Sequence, residues 1–343
     1  MKIFINLVCI FLFFITFLID KAFCEPIYRP ALRTLGIWLQ ESQLRLDINL
    51  WYPTFRTPKE ITFNPWIVSA ALNAPIAEGK YPLIILSHDS AGSRFIYHDT
   101  AAWLASQGYI VAAPTHPGDC FDNMDSIFTA RQLLERMENI KAVFRVIMDD
   151  RDIGKHIETR AIGLVGYGSG GTACLLLGGA IPECDSLSKW CAEGLKKNPY
   201  CAPSIKEKMD KMCLALKGEN FGNSFEIKAV VAVSPAYGML FGQNSFRETD
   251  IPILVIAANR DNINTSEFNS EYIGRLLGSK AHYYELATAD TGALMASCPP
   301  LMQQDLPELC LSVDEKERKI IHRNLHNAIK TFFSSCFQKD EKN

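Results

Sequence analysis

Apolar and polar positions along the 343-residue chain fall into patterns that alternate between strand and helix. Two early runs, Thr34–Leu39 and Leu44–Tyr52, alternate apolar and polar residues and predict an antiparallel hairpin with one covered face. The following segment, to about Gly79, shows no period and is expected to be irregular. Tyr81–Ser87 is then continuously apolar, as in a strand buried on both faces. A helix over about His98–Gln107 stops at Gly108, and Tyr109–Ala113 forms the next buried strand. Leu133, Leu134, Met137, Ile140, Phe144 and Ile147 recur at helical spacing, which predicts an amphipathic helix from about Thr129 to Met148. Strand-like runs return at Ile227–Ser234, Ile251–Ala257 and His282–Leu286. A last amphipathic helix runs from Ser312 to about Phe333, with Ser312 and Glu315 as a capping box and Ile321, Leu325, Ala328 and Phe332 facing the sheet. This alternation predicts an α/β fold with a mostly parallel central sheet and helices on both faces.

The stretch from Ala161 to Cys174 organises the rest. It is an apolar strand, Ala161–Val165, that turns through glycines into the small-residue run Gly170-Gly-Thr-Ala-Cys174. In a nucleophile elbow of the form G-x-S-x-G, a serine is lifted above the carboxyl edge of a parallel sheet, and the flanking glycines let strand and helix approach. With Gly166 and Gly170 as the outer glycines, the nucleophile position falls on Gly168, and Ser169 comes one residue later.

Composition places this pattern in an ordinary globular chain, 48% hydrophobic and 21% charged with a net charge of -3. The near-neutral balance and the absence of a basic block exclude a nucleic-acid partner. Met1-Lys2 precedes an apolar run from Ile3 to Ile19 and a small-x-small site at Ala22-Phe-Cys24, which predicts a secretory signal over residues 1–24 and a mature domain over 25–343. An uncleaved N-terminal anchor is the minority alternative. Export leads to the periplasm or the extracellular space, where disulfides form, and nine of the eleven cysteines lie beyond Cys24. Cys184, Cys191, Cys201 and Cys213 crowd an insertion at about 181–223 that interrupts the α/β pattern where a cap would sit, and Cys298 and Cys310 bracket a later loop. No C-x-x-C pair occurs, so disulfides are expected, and no metal or other cofactor.

Several motifs in this order and spacing resemble the α/β-hydrolase superfamily, and more narrowly the secreted bacterial proteins described as predicted dienelactone hydrolases, relatives of platelet-activating factor acetylhydrolases. They are Leu50-Trp-Tyr-Pro53, Pro82–His88 with Gly92-Ser93, Gly108–Pro114 with His116-Pro-Gly118, Ile162–Gly166 with Gly170-Gly171, Ala229–Pro235, and His322–Leu325 with Phe332-Phe333. The resemblance implies ester hydrolysis by a serine, a histidine that takes its proton, a carboxylate that orients the histidine, and backbone donors for the oxyanion.

Carried over residue by residue, that pattern is degenerate here. The nucleophile position holds Gly168, the acid position retains Asp261, and the histidine position, shortly before Cys298, holds Thr291. The oxyanion loop reads His88-Asp89-Ser90-Ala91-Gly92, with Asp89 and Ala91 where glycines are typical. Gly168 has no atom to attack a carbonyl, Thr291 accepts no proton near neutral pH, and Asp89 adds a negative charge where one should be stabilised.

These departures imply a non-catalytic pseudo-hydrolase that acts as a binding or interaction module, with a small-molecule or lipid-like ligand in the residual pocket or a protein partner. The alternative is an active carboxylic or lipid ester hydrolase with Ser169 as a rearranged nucleophile. Ser169 also reads as a helix N-terminal cap. Tyr167, beside the elbow, reads either as a ligand contact or as packing, and Asp261 as a plain loop carboxylate. His88 and His116 belong to the ordinary pattern as loop-shaping residues. His282 sits at a strand start, roughly 16 Å from the carboxyl edge. His98, His156, His322 and His326 are expected at the surface.

Overall fold

The computed structural model describes residues 27–40, 43–184, 188, 191–192, 199–217 and 225–338. The expected signal over 1–24 lies outside them, as does part of the insertion. The strands are β1 (Arg29–Leu39), β2 (Leu44–Thr54), β3 (Lys59–Phe63), β4 (Trp66–Leu72), β5 (Tyr81–Ser87), β6 (Ile110–Thr115), β7 (Ile157–Tyr167), β8 (Ala229–Val233), β9 (Ile253–Ala258) and β10 (Ala281–Leu286). They form one sheet in the order β10-β9-β8-β7-β5-β6-β2-β1-β4-β3. Pairing is parallel from β6 to β10, while β2 runs antiparallel to both β6 and β1. The sheet carries six helices of eight or more residues among those described: α1 (His98–Ser106), α2 (Gln132–Asp149), α3 (Ser169–Leu177), α4 (Pro203–Leu216), α5 (Ser270–Leu277) and α6 (Glu315–Phe337).

The central strands are buried on both faces, so successive residues feed two separate cores. Leu83, Ile85, Ile162, Leu164, Val230 and Ala232 pack with Leu133, Met137 and Ile140 of α2 and Leu175 of α3. Their neighbours Ile84, Leu86, Val165, Val231 and Val233 pack on the other face with Leu104 of α1 and Leu325 and Phe333 of α6. The opening hairpin, the buried strands and the elbow stand where the periodicity puts them.

Four expectations are corrected. Residues 59–72 are not irregular but form the hairpin β3–β4, turned at Asn64 and Pro65. Trp66, Val68 and Ala70 face inward, but Ile67 points to solvent at 53% exposure, which erases the polar half of the alternation. The last helix starts at Glu315, capped by the Asp314 carboxylate that accepts from the Glu317 N–H at 2.8 Å; Ser312 instead donates to Asp290 Oδ1 at 2.9 Å. On that helix Ala328 is only half-buried, and Ile329 takes the core position. His156, His322 and His326 are not at the surface but buried.

Among the described residues three disulfides are formed, Cys184–Cys213, Cys191–Cys201 and Cys298–Cys310, so the insertion is stapled within itself. They fit an oxidising compartment. Met209, Met212 and Leu216 of α4 join the core on the α2 face, and Ile181 and Glu183 donate backbone hydrogen bonds to the loop after β8. No helix among the described residues is long and apolar enough to cross a membrane.

Candidate active site

The elbow is built as its glycines require. β7 ends at Tyr167, α3 starts at Ser169, and between them Gly168 has φ +51° and ψ -120°, backbone that a side chain adopts only under strain. A Cβ on Gly166 would collide with the Gly170 carbonyl, and one on Gly170 with the Ser87 carbonyl. Strand, helix and the end of β5 therefore meet backbone to backbone, and Gly168 stands where the fold places a nucleophile.

The volume such a side chain would fill belongs to Asp89. A Cβ built on Gly168 would overlap the Asp89 carboxyl carbon and both of its oxygens. Oδ1 accepts from the Ser169 N–H at 2.8 Å and from the Ser90 N–H at 2.7 Å, and Oδ2 accepts from Asn264 Nδ2 at 3.2 Å. The Ser169 N–H, on the residue after the nucleophile position, is one of the donors that an α/β-hydrolase aims at its oxyanion. Here a carboxylate of the chain itself takes that donor. Burial pushes the Asp89 pKa up to about 6, with Asp261 adding to the rise, while the two N–H groups and Arg136 act against it.

Asp261, 4% exposed, is fully engaged by neutral donors. Oδ2 accepts from the Ser234 hydroxyl at 2.6 Å; Oδ1 accepts from the N–H groups of Ile263 and Asn264 at 2.9 and 2.8 Å and from the Thr291 hydroxyl at 2.7 Å. Asp261 and Thr291, the acid and histidine positions that the resemblance implies, are thus brought together through a threonine hydroxyl. Thr291 opens the single helical turn Thr291–Leu294, whose cap is Asp290 accepting from the Ala293 N–H at 2.7 Å.

Ser169 is not a helix cap: Gly168 holds the cap position, and Ser169 is the first helical residue, fully buried. Its Oγ accepts from the Ser90 hydroxyl at 3.0 Å. Ser90 in turn accepts from Gln132 Nε2 at 2.9 Å, and the same amide donates to Asp119 Oδ2 at 2.8 Å. Arg136 completes the network, donating from Nε to Asp119 Oδ2 at 2.6 Å and from a terminal nitrogen to the His88 carbonyl at 2.5 Å. Burial raises the Asp119 pKa, but Arg136 outweighs it and the net shift is downward. Breaking such a buried pair by removing one partner costs about 3–5 kcal/mol.

His88 and His116 shape the loop around this network. His88 Nε2 accepts from the His116 N–H at 3.0 Å, and His116 Nε2 bonds the Ser87 hydroxyl at 2.8 Å. Burial, with Arg136 nearby, pushes the His88 pKa down to about 3, so its ring is neutral at physiological pH. Tyr167 points to the opposite face of the sheet, stacked on Tyr97 with ring centroids 3.6 Å apart and donating to Thr100 Oγ1 at 3.3 Å. It is a packing residue, because position 167 has the phase of Val165, which feeds the α1–α6 core.

Gln132, Arg136, Asp119 and Asn264 escape notice in the sequence. Gln132 and Arg136 left one signal: they fall in phase with Leu133, Met137 and Ile140, on the apolar side of α2, where a polar residue must have a buried partner. Asp119 and Asn264 lie in loops and left none.

With this geometry in place, comparison with known proteins agrees on the scaffold. A family model described as "Platelet-activating factor acetylhydrolase, isoform II" matches residues 38–176, which span the opening hairpin, the loop at Asp89 and the elbow. No curated protein matches the chain in sequence. Among solved structures, a ferulic acid esterase from Streptomyces cinnamoneus superposes with a TM-score of 0.57 at 14% identity, covering 93% of each chain. The chain has the α/β-hydrolase fold and resembles the platelet-activating factor acetylhydrolases within it.

Proposed function

We propose that this protein is a non-catalytic member of the α/β-hydrolase fold, exported to an oxidising compartment, where it serves as a binding or interaction module. The observation that carries this is the Asp89 carboxylate standing in the space above Gly168 and holding the Ser169 N–H. An ester bound in the usual way would need that space for the attacking oxygen and that N–H for its developing negative charge. Without a hydroxyl at Gly168 and an imidazole at Thr291, neither nucleophile nor general base is present at its family position. Ser169 does not replace them, since its hydroxyl is buried and bonded to Ser90 rather than to an imidazole.

The module's ligand is a small or lipid-like molecule, or a protein partner, at the carboxyl edge. Tyr200 of the insertion packs edge-on against Tyr237, with centroids 5.6 Å apart, and Tyr237 donates to Gln132 at 3.1 Å. The insertion therefore shares a wall with the blocked site. The test is hydrolysis of a short-chain nitrophenyl ester by the purified mature protein, with labelling by a serine-directed phosphonate. Turnover equal to buffer and no label are expected. Turnover or labelling that Ser169→Ala abolishes would overturn the assignment. Native mass spectrometry of the protein from its producing cell identifies any retained small molecule.

A further inference from the structure

We propose that Asp99, His322 and His326 form a binding site for one divalent transition-metal ion, zinc in the first instance, between α1 and α6. Their donor atoms lie within 4.8 Å of one another. His322 and His326 are four residues apart, so they project from one face of α6, and Asp99 meets them from the first turn of α1.

Each ring has one nitrogen held from behind. His322 Nε2 donates to the Ala293 carbonyl at 2.8 Å, and His326 Nε2 bonds the Thr100 hydroxyl at 2.9 Å, which leaves Nδ1 of each ring as the ligand atom. Metal-binding histidines carry this kind of outer contact, which sets the tautomer and aims the lone pair.

Asp99 supplies a second observation. Its Oδ2 pairs with His322 Nδ1, while its Oδ1 is buried and has no hydrogen-bond partner. A bare carboxylate oxygen costs free energy unless something occupies it, and a cation beside two imidazoles does. Zinc bonds of about 2.0–2.2 Å set tetrahedral donors about 3.4 Å apart, so the widest pairs close by up to about 1.4 Å while the hydrogen-bonded Asp99–His322 pair opens, both by side-chain rotation. On binding, the proton between His322 Nδ1 and Asp99 leaves to solvent, Nδ1 and the carboxylate bond the ion, and the Nε2 protons stay on their rings, donated to the Ala293 carbonyl and the Thr100 hydroxyl.

Three protein ligands leave one position open, as in sites that keep an exchangeable ligand. Asp99, His322 and His326 line a cavity of about 280 Å³ that Glu315, Arg318, Lys319 and Arg323 also border. Arg318 is committed elsewhere, donating to the carbonyls of Gly292, Met295 and Cys310. Lys319 and Arg323 border the cavity with positive charge, which suits a hydroxide or another anion as the fourth ligand.

The experiment is titration of the mature, disulfide-intact protein with zinc by calorimetry after dialysis against a chelator, repeated with cobalt to record ligand-field spectra. Wild type is expected to bind one ion, with cobalt bands of a low-coordinate nitrogen and oxygen site. His326→Ala is expected to abolish stoichiometric binding, and Thr100→Val, which touches no metal, to weaken it about tenfold through the lost outer contact. His322→Ala is tested alongside, and His326→Ala keeps the test decisive if loss of the Asp99–His322 pair prevents folding. Absence of 1:1 binding in wild type, binding undiminished in His326→Ala, or an unchanged affinity in Thr100→Val would each overturn the proposal.

Discussion

Asp261 and Asp99 are both carboxylates at functional-looking positions, and the difference between their surroundings separates two regions of this molecule. Asp261 accepts from two hydroxyls and two backbone N–H groups, all neutral. Asp99 has one partner, an imidazole, and one buried oxygen with none. A saturated carboxylate has nothing left to offer a substrate or an ion, whereas a half-satisfied one beside two ring nitrogens has both charge and lone pairs to give. The elbow region has thus been closed with the fold's own polar groups. There Asp261 meets the hydroxyl of Thr291 and no imidazole, and histidines gather instead behind the sheet, where the chain from Tyr167 through Thr100 to His326 joins the two regions.

Reopening the elbow is the change with the largest expected effect. Gly168→Ser alone is expected to yield no turnover and to lose about 2 kcal/mol, because the new side chain overlaps Asp89. The triple change Asp89→Gly, Gly168→Ser, Thr291→His clears the space, restores both reacting groups and frees the Ser169 N–H. It is expected to exceed the wild type by at least about 10³-fold in nitrophenyl ester turnover. A triple variant no better than Gly168→Ser would show that the blockage extends beyond these three residues.

Next in size is the loss of the saturated carboxylate itself. Asp261→Ala strands four donors at once and is expected to cost about 3 kcal/mol or more in urea unfolding, whereas Thr291→Val, which leaves only one acceptor bond unmade, should cost about 1 kcal/mol. Equal losses would mean that the two backbone N–H groups find other acceptors.

A smaller effect sharpens the electrostatic side. The folded pKa of Asp89, about 6, stands above its ordinary 3.8, so the fold favours the protonated form. That contribution is fully present below about pH 4 and is lost as pH rises through 6. Asp89→Asn is expected to flatten the stability profile across that window and to be more stable than wild type at pH 7 by about 1–2 kcal/mol, by thermal or urea unfolding at several pH values. A parallel profile for the two proteins would refute the assignment. The smallest change is Ala91→Gly in the same loop: Ala91 sits at φ +58°, and glycine should gain about 0.5 kcal/mol after its larger unfolded-state entropy is counted.

Much of this was legible along the chain. Tyr81–Ser87 and Ala229–Val233 announce strands buried on both faces because no polar residue interrupts them, and the glycines from 166 to 171 announce a backbone approach that no other residue allows. The sequence also singled out Gly168, Asp261 and Thr291, and the structure places Gly168 at the elbow and bonds Thr291 to Asp261. Less visible was β4, where outward-facing Ile67 hides the alternation, and the phase of Tyr167, which is decided by which face of the sheet its strand neighbours fill.

The element order, the elbow, and a glycine and a threonine at positions 168 and 291 can be read along the chain, since period, glycine placement and residue identity are local properties. The packing of the fold is what makes Asp89 and Gly168, 79 positions apart, halves of one solution in which the side chain missing at one is replaced by that of the other. It alone also brought Asp99 to His322 and His326 across more than 220 residues. The physical reason is common to both: whether a carboxylate plugs a site, stiffens a loop or waits for an ion depends on the donors within about 3 Å of its two oxygens, and those are chosen by the packing of distant elements.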